Sequence, residues 1–143
     1  MNIRLLNELD LGAWHDMREK LWPDPPPDKV ETARLFHKPN YFVWLAESDG
    51  GEPIGFLETQ TCNRADGCDS DSILYIEGWF VEEKFRGRGI GTALMQSAEE
   101  WARTHAIEEL GSDALIDNHI SHRAHKKLGF QEVDRQISYA KKL

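Results

Sequence analysis

Apolar residues along this chain alternate between helical and strand spacing, and the switches divide it into elements. Residues 2–6 read as a short strand, after which Leu11, Trp14, Met17, Arg18 and Leu21 recur at helical spacing behind Asp10, placed as an N-cap. Pro23-Asp24-Pro25-Pro26-Pro27 ends that helix, because proline lacks an amide donor and restrains the residue before it. A second helix is predicted from near Asp28. Tyr41 to Glu47 is aromatic and β-branched, Ser48-Asp49-Gly50-Gly51 supplies a turn, and Ile54 to Thr61 returns as the hairpin partner. Beyond a polar loop over 63–72, Ile73 to Val81 is almost continuously apolar, the pattern of a central strand buried on both faces, interrupted only by Glu77. From Ile90, the stripe Leu94, Ala98, Trp101 and Ala102 predicts a helix to about His105, with Gln96, Glu99, Glu100 and Arg103 opposite. A short strand over 109–113, a helix over 118–128 closed by Gly129, and a last strand over 130–139 complete the chain. No internal repeat or low-complexity tract appears.

At 143 residues and 40% hydrophobic, the chain suits one domain over 1–143 and is short for two. Its formal charge of -8 repels polyanions, which disfavours nucleic acid and favours a cationic small molecule or basic peptide. Cys62 and Cys68 lack the second ligand pair of a zinc site, so reduced, incidental thiols and no metal are expected. The N-terminal apolar residues give way to Asn7, Glu8 and Asp10, and no stretch approaches the roughly 20 apolar residues of a membrane span. A soluble, cytoplasmic protein without a membrane partner is the expectation.

Arg86-Gly87-Arg88-Gly89-Ile90-Gly91 joins the apolar strand to the amphipathic helix. Glycines there let a ligand approach the backbone, and a helix start presents unpaired amides and a positive dipole end, so the turn can hold an anion. Gly91-Thr92-Ala93 has no lysine, which disfavours a P-loop. A dinucleotide fingerprint counted from Gly87 would place its last glycine at Thr92, and the hairpin-rich pattern is not a run of βαβ units. A tight strand-to-helix connection with solvated arginines is the plain alternative.

The turn resembles that of the GNAT N-acetyltransferase family, whose R/Q-x-x-G-x-G/A signature is met by Arg86, Gly89 and Gly91. Downstream, Asn118, Ser121, His125 and Leu128-Gly129-Phe130 resemble the family's Asn-x-x-Ala-x-x-x-Tyr-x-x-x-Gly-Phe pattern, with serine for alanine and histidine for tyrosine. The resemblance implies an α/β (α+β) GNAT fold: a mixed, mostly antiparallel twisted sheet with a splayed central strand pair, flanked by about four helices. It implies acetyl-CoA as cosubstrate. Backbone groups of Trp79, Phe80 and Val81 would pair with the pantetheine. The turn, Arg86, Gly87, Arg88, Gly89, Ile90, Gly91 and Thr92, would hold the pyrophosphate, and Asn118 would contact the same molecule.

Over nearly its whole length the chain also resembles aminoglycoside 6'-N-acetyltransferases, through Leu21-Trp22-Pro23, Gly67-Cys68-Asp69-Ser70, Glu77-Gly78 before Phe80-Val81, and Ser112-Asp113. By position, Trp22, Glu77, Asp113 and Asp134 would contact a polycationic antibiotic, and a homodimer is implied; Arg64 and Ala65 do not reproduce an aromatic that relatives place nearby. The activity implied is acetyl transfer to the 6'-amino group by direct attack, conferring antibiotic resistance. Residue chemistry bears on these roles. An ionised Glu77 in an apolar strand is costly unless it faces a cation, a cavity or water, and Tyr75, Trp79 and Val81 share its face under strict alternation. Glu77 would take the amine's proton, and a strand amide near Phe80 or Val81 would meet the oxyanion. His125, at the family's tyrosine position, would protonate the leaving thiolate or simply pack the last helix, with Tyr139 a weaker competitor. Trp22 would be a flat wall for a sugar ring or a core residue. Asp113 and Asp134 rest on the resemblance. Another cationic amine, a polyamine or a protein N-terminus, and a non-catalytic acyl-CoA-binding module remain alternatives.

Overall fold

Five strands lie side by side in sequence order: β1 (Asn2–Leu5), β2 (Tyr41–Glu47), β3 (Pro53–Cys62), β4 (Ile73–Val81) and β5 (Glu109–Ser112). The first three junctions are antiparallel and β4–β5 is parallel. Helices α1 (Leu11–Leu21), α2 (Lys29–Phe36) and α3 (Ile90–Thr104) accompany the sheet, and α4 (His119–Lys127) follows it. The computed structural model describes residues 1–143 as two compact units, 1–112 and 113–143. The mixed, mostly antiparallel sheet with four α-helices agrees with the expected fold class.

Strand periodicity sorts the core of the first unit. Tyr41, Val43 and Leu45 of β2 pack with Phe56, Phe80, Trp14 and Met17 on the α1 side. Phe42 and Trp44, one residue out of phase, meet Trp101 of α3 at ring-centroid distances of 4.5 and 5.9 Å. Each buried aromatic of this size contributes about 1.5–3 kcal/mol of hydrophobic stabilisation, which explains why both faces of β2 and β3 are apolar.

Local signals explain the helix starts, with one correction. Asp28 caps α2 through the Glu31 amide at 2.7 Å. Asp10 stands at the α1 N-cap position but makes no cap bond; its carboxylate instead binds the Arg4 guanidinium at 2.7 and 2.9 Å. Asn7 is the residue that caps, from the turn before it. Arg4 is also held by Glu47 across the sheet edge, and the guanidinium keeps both carboxyls below their usual range.

Two strand expectations change. Glu58 pairs with Gly78 and Thr59 with Ile76, leaving Glu77 as an extra residue, a β-bulge. Strict alternation therefore fails at Glu77. In the second unit, no strand forms over 130–139, and Gln131 to Leu143 are all exposed. Asn118 caps α4 through the Ser121 amide, and Gly129 closes it at φ 86°.

Candidate active site

Two glycines give the turn after β4 its shape. Gly87 and Gly89 have φ of 75° and 82°, the left-handed region that a side chain disfavours, and a Cβ at either would meet open space. Gly89 is the N-cap of α3, and no side chain caps that helix start. Gly91 also packs the helix start against the sheet. A Cβ there would come within 3.2 Å of the Trp79 indole, which donates to the Gly91 carbonyl at 3.1 Å. The missing side chain thus seats α3 on β4, while Gly87 and Gly89 shape the turn. Arg86 donates its Nε to the Val81 carbonyl at 2.8 Å and lies over Phe80, tying the turn to the strand end.

Beside the turn, the sheet is open. Pairing between β4 and β5 runs from Ile73–Glu109 to Ile76–Ser112 and stops, so Gly78 to Val81 have β3 on one side only. The Glu82 amide bonds the Ile54 carbonyl at 2.9 Å. Alternation along the strand sends the Phe80 amide the same way, and those of Trp79 and Val81 toward the open edge. Strand β4 thus presents a free backbone edge after Ile76, and α3 an uncapped start.

A cavity of about 550 Å³ lies on the α1 side of the sheet, within residues 1–112. Arg18, Trp22, the loop Asp24 to Pro27, Glu31, Tyr41, Glu58 and Glu77 line it. The bulge explains how Glu77 reaches this cavity while Trp79 points to α3: the extra residue resets the alternation. Glu77 is exposed, not enclosed with Trp79 as period two predicts. Trp22 packs against the strand at Gly78, where a Cβ would fall 2.6 Å from its ring. Only glycine at 78 leaves room for that indole.

Under the cavity runs a polar network that the sequence did not single out. Glu58 is fully buried; its Oε1 accepts from Trp14 Nε1 at 2.8 Å and Arg18 Nε at 2.7 Å, and its Oε2 from the Tyr41 hydroxyl at 2.5 Å. Arg18 also donates to Thr32, which meets His15. Burial raises the Glu58 carboxyl above its usual range, and the Arg18 charge with the hydrogen bonds from Tyr41, Trp14 and Arg18 opposes that shift. Burial and Glu58 together raise the Tyr41 phenol, which stays protonated. The available signal was Arg18, a charge on the apolar stripe of α1, which demanded a buried partner.

Of the expected site residues, Trp22 and Glu77 share the cavity, and Trp79, Phe80, Val81 and Arg86 to Thr92 form the open edge and turn. Asp113, Asn118, His125 and Asp134 belong to the 113–143 unit. There, His125 meets the Ser121 carbonyl through Nδ1 at 2.8 Å and packs edge-on against Phe130 at 5.1 Å.

A mixed, mostly antiparallel sheet that opens between β4 and β5 after Ile76, with the uncapped start of α3 following β4, defines the α/β architecture of the site. The chain belongs to the acetyltransferase (GNAT) family, whose model matches residues 9–130. It is 32% identical over 145 residues to aminoglycoside N(6')-acetyltransferase type 1 of Salmonella typhimurium, covering 99% of each chain. The protein of that name from Acinetobacter baumannii is 34% identical, over 100% of this chain and 99% of its own. Among solved structures, AAC(6')-Iy in complex with the bisubstrate analog CoA-S-monomethyl-acetylneamine superposes with a TM-score of 0.90. Its identity is 32%, covering 99% of this chain and 98% of that one.

Proposed function

We propose that this chain transfers the acetyl group of acetyl-CoA to the 6'-amino group of aminoglycosides, conferring resistance. The observation that carries the reading is the acid-lined cavity holding Trp22 and Glu77, next to the open edge of β4 in a chain akin throughout to such enzymes. Trp22 offers a flat wall to a sugar ring, and the acids meet ammonium groups. Glu77 takes the proton, directly or through water, that the attacking amine must lose. Acetyl-CoA supplies the acyl group as cosubstrate, with its pyrophosphate on the turn from Arg86 to Thr92. The Val81 amide, aimed at the open edge, donates to the oxyanion in preference to Phe80, whose amide faces β3. Attack is direct, without an acyl-enzyme.

In the same reading, residues 1–143 work as one acetyltransferase domain, Asp113 and Asp134 add contacts to the antibiotic, and Asn118 adds one to the cosubstrate. His125 is an optional acid. A homodimer fits the exposed Ile120, Val133, Ile137 and Tyr139 of the 113–143 unit. No helix is long and apolar enough to cross a membrane, and the cytoplasm, where acetyl-CoA is made available, is the proposed location. The test replaces Glu77 with alanine and measures acetyl transfer to kanamycin or tobramycin. A fall of roughly a hundredfold in kcat with a normal acetyl-CoA KM is expected; unchanged turnover in the folded variant rules the role out.

A further inference from the structure

We propose that Arg18 and Glu58 form a specificity-determining pair beneath the acceptor cavity, in which Glu58 cancels the one cationic side chain lining an otherwise acidic wall. The proposal rests on the reading of this cavity as the site of a polycationic acceptor.

Arg18 is 4% exposed and cannot turn away. Its guanidinium carbon lies 5.4 Å from the Trp14 ring and 5.2 Å from the Trp22 ring, its Nε is on Glu58, and its Nη1 is on Thr32 at 2.9 Å. A guanidinium does not lose its proton in a protein, so its charge persists under the cavity floor. The other charged side chains lining the cavity are Asp24, Glu31, Glu58 and Glu77. Glu31 approaches Arg18 only to 3.9 Å and is half exposed, so the close partner is Glu58. With the pair intact, Asp24, Glu31 and Glu77 set the field that an ammonium meets. Without the Glu58 charge, the same ammonium meets a buried cation in a medium where charges act strongly over several ångströms.

A purely structural ion pair and a charge-cancelling one predict different kinetics. Losing either half of a structural bridge loosens Trp22 and raises acceptor KM in both cases. Charge cancellation separates the two variants. Glu58→Gln keeps the shape and an oxygen for Trp14 and Arg18, but uncovers the cation. Arg18→Met keeps apolar packing between the two indoles and removes the cation, and the buried Glu58 carboxyl, without its counter-charge, takes up a proton, so no net charge is left under the cavity.

The experiment measures steady-state acetylation of kanamycin by the full chain, with thermal melts to verify folding. Glu58→Gln is expected to raise kanamycin KM roughly tenfold with the acetyl-CoA KM unmoved, and Arg18→Met to leave kanamycin KM unraised. A rise in both variants, or an unchanged KM in Glu58→Gln, overturns the proposal. If Glu58→Gln does not melt cooperatively, Arg18→Met decides: an unraised kanamycin KM supports charge cancellation and a raised one refutes it. Absence of turnover in the unmodified protein overturns the acceptor reading itself, and with it the assignment of the pair.

Discussion

The glycine turn and the acceptor cavity stand on the same strand, yet they are made of different material. The turn is built from backbone: two glycines in the left-handed region, amides at the start of α3, and an unpaired strand edge. The cavity is built from side chains brought by α1, α2, β2, β3 and β4, and its floor depends on a buried carboxylate forty residues from the arginine it holds. A backbone site can be written in six consecutive residues. A side-chain site exists only after the sheet has assembled, so its defects appear in stability as well as in affinity.

The largest contrast is expected on removing Glu58. Glu58→Ala strips Arg18 of its buried partner and should cost about 3–5 kcal/mol of stability, read as a fall in the urea midpoint; a loss below 1 kcal/mol would show that the network is not a folding element. At the turn, Gly89→Ala forces a Cβ into the left-handed region at a cost of about 1–2 kcal/mol. That should raise the acetyl-CoA KM roughly tenfold and leave the aminoglycoside KM alone; the reverse pattern would erase the division between the two regions. Gly78→Ala probes the other side. Its methyl would press on Trp22, and overpacking of this kind costs about 1–3 kcal/mol, so the aminoglycoside KM should rise while acetyl-CoA binding holds.

The smallest effect belongs to neither region. Asp10→Asn removes a carboxylate whose pKa Arg4 lowers. A depressed folded pKa contributes stability above the unfolded value, near 4, that is lost as pH falls through the folded one. Denaturation followed from pH 7 to pH 2 should show the unmodified protein losing this contribution below about pH 4. The variant should start lower by about 1 kcal/mol, follow a flatter curve, and keep both KM values.

Legibility in the sequence follows the same division. The hairpin Tyr41 to Thr61, the Ile90 helix and the glycine turn are local patterns, and their bounds fall within a residue or two of expectation. Glu58 sits in Phe56-Leu57-Glu58-Thr59, where alternation alone cannot say that α1 covers it. A carboxylate in an apolar strand is costly at Glu77 and costlier at the fully buried Glu58, and Arg18 on the apolar stripe of α1 is the matching charge. Glu77 itself was assigned to the wrong company, because a bulge changes the phase of a strand without changing its composition. The stretch from Phe130 to Tyr139 has strand propensity, but propensity becomes a strand only when a neighbour supplies the ladder.

The activity proposed for this chain is regiospecific transfer to a 6'-amine. The direct measurement is to incubate the chain with acetyl-CoA and kanamycin and locate the new acetyl group in the product by mass spectrometry and NMR. A single acetyl group on the 6'-nitrogen is the predicted result. Acetylation at another amine, or no acetylated product while acetyl-CoA binds, would contradict it.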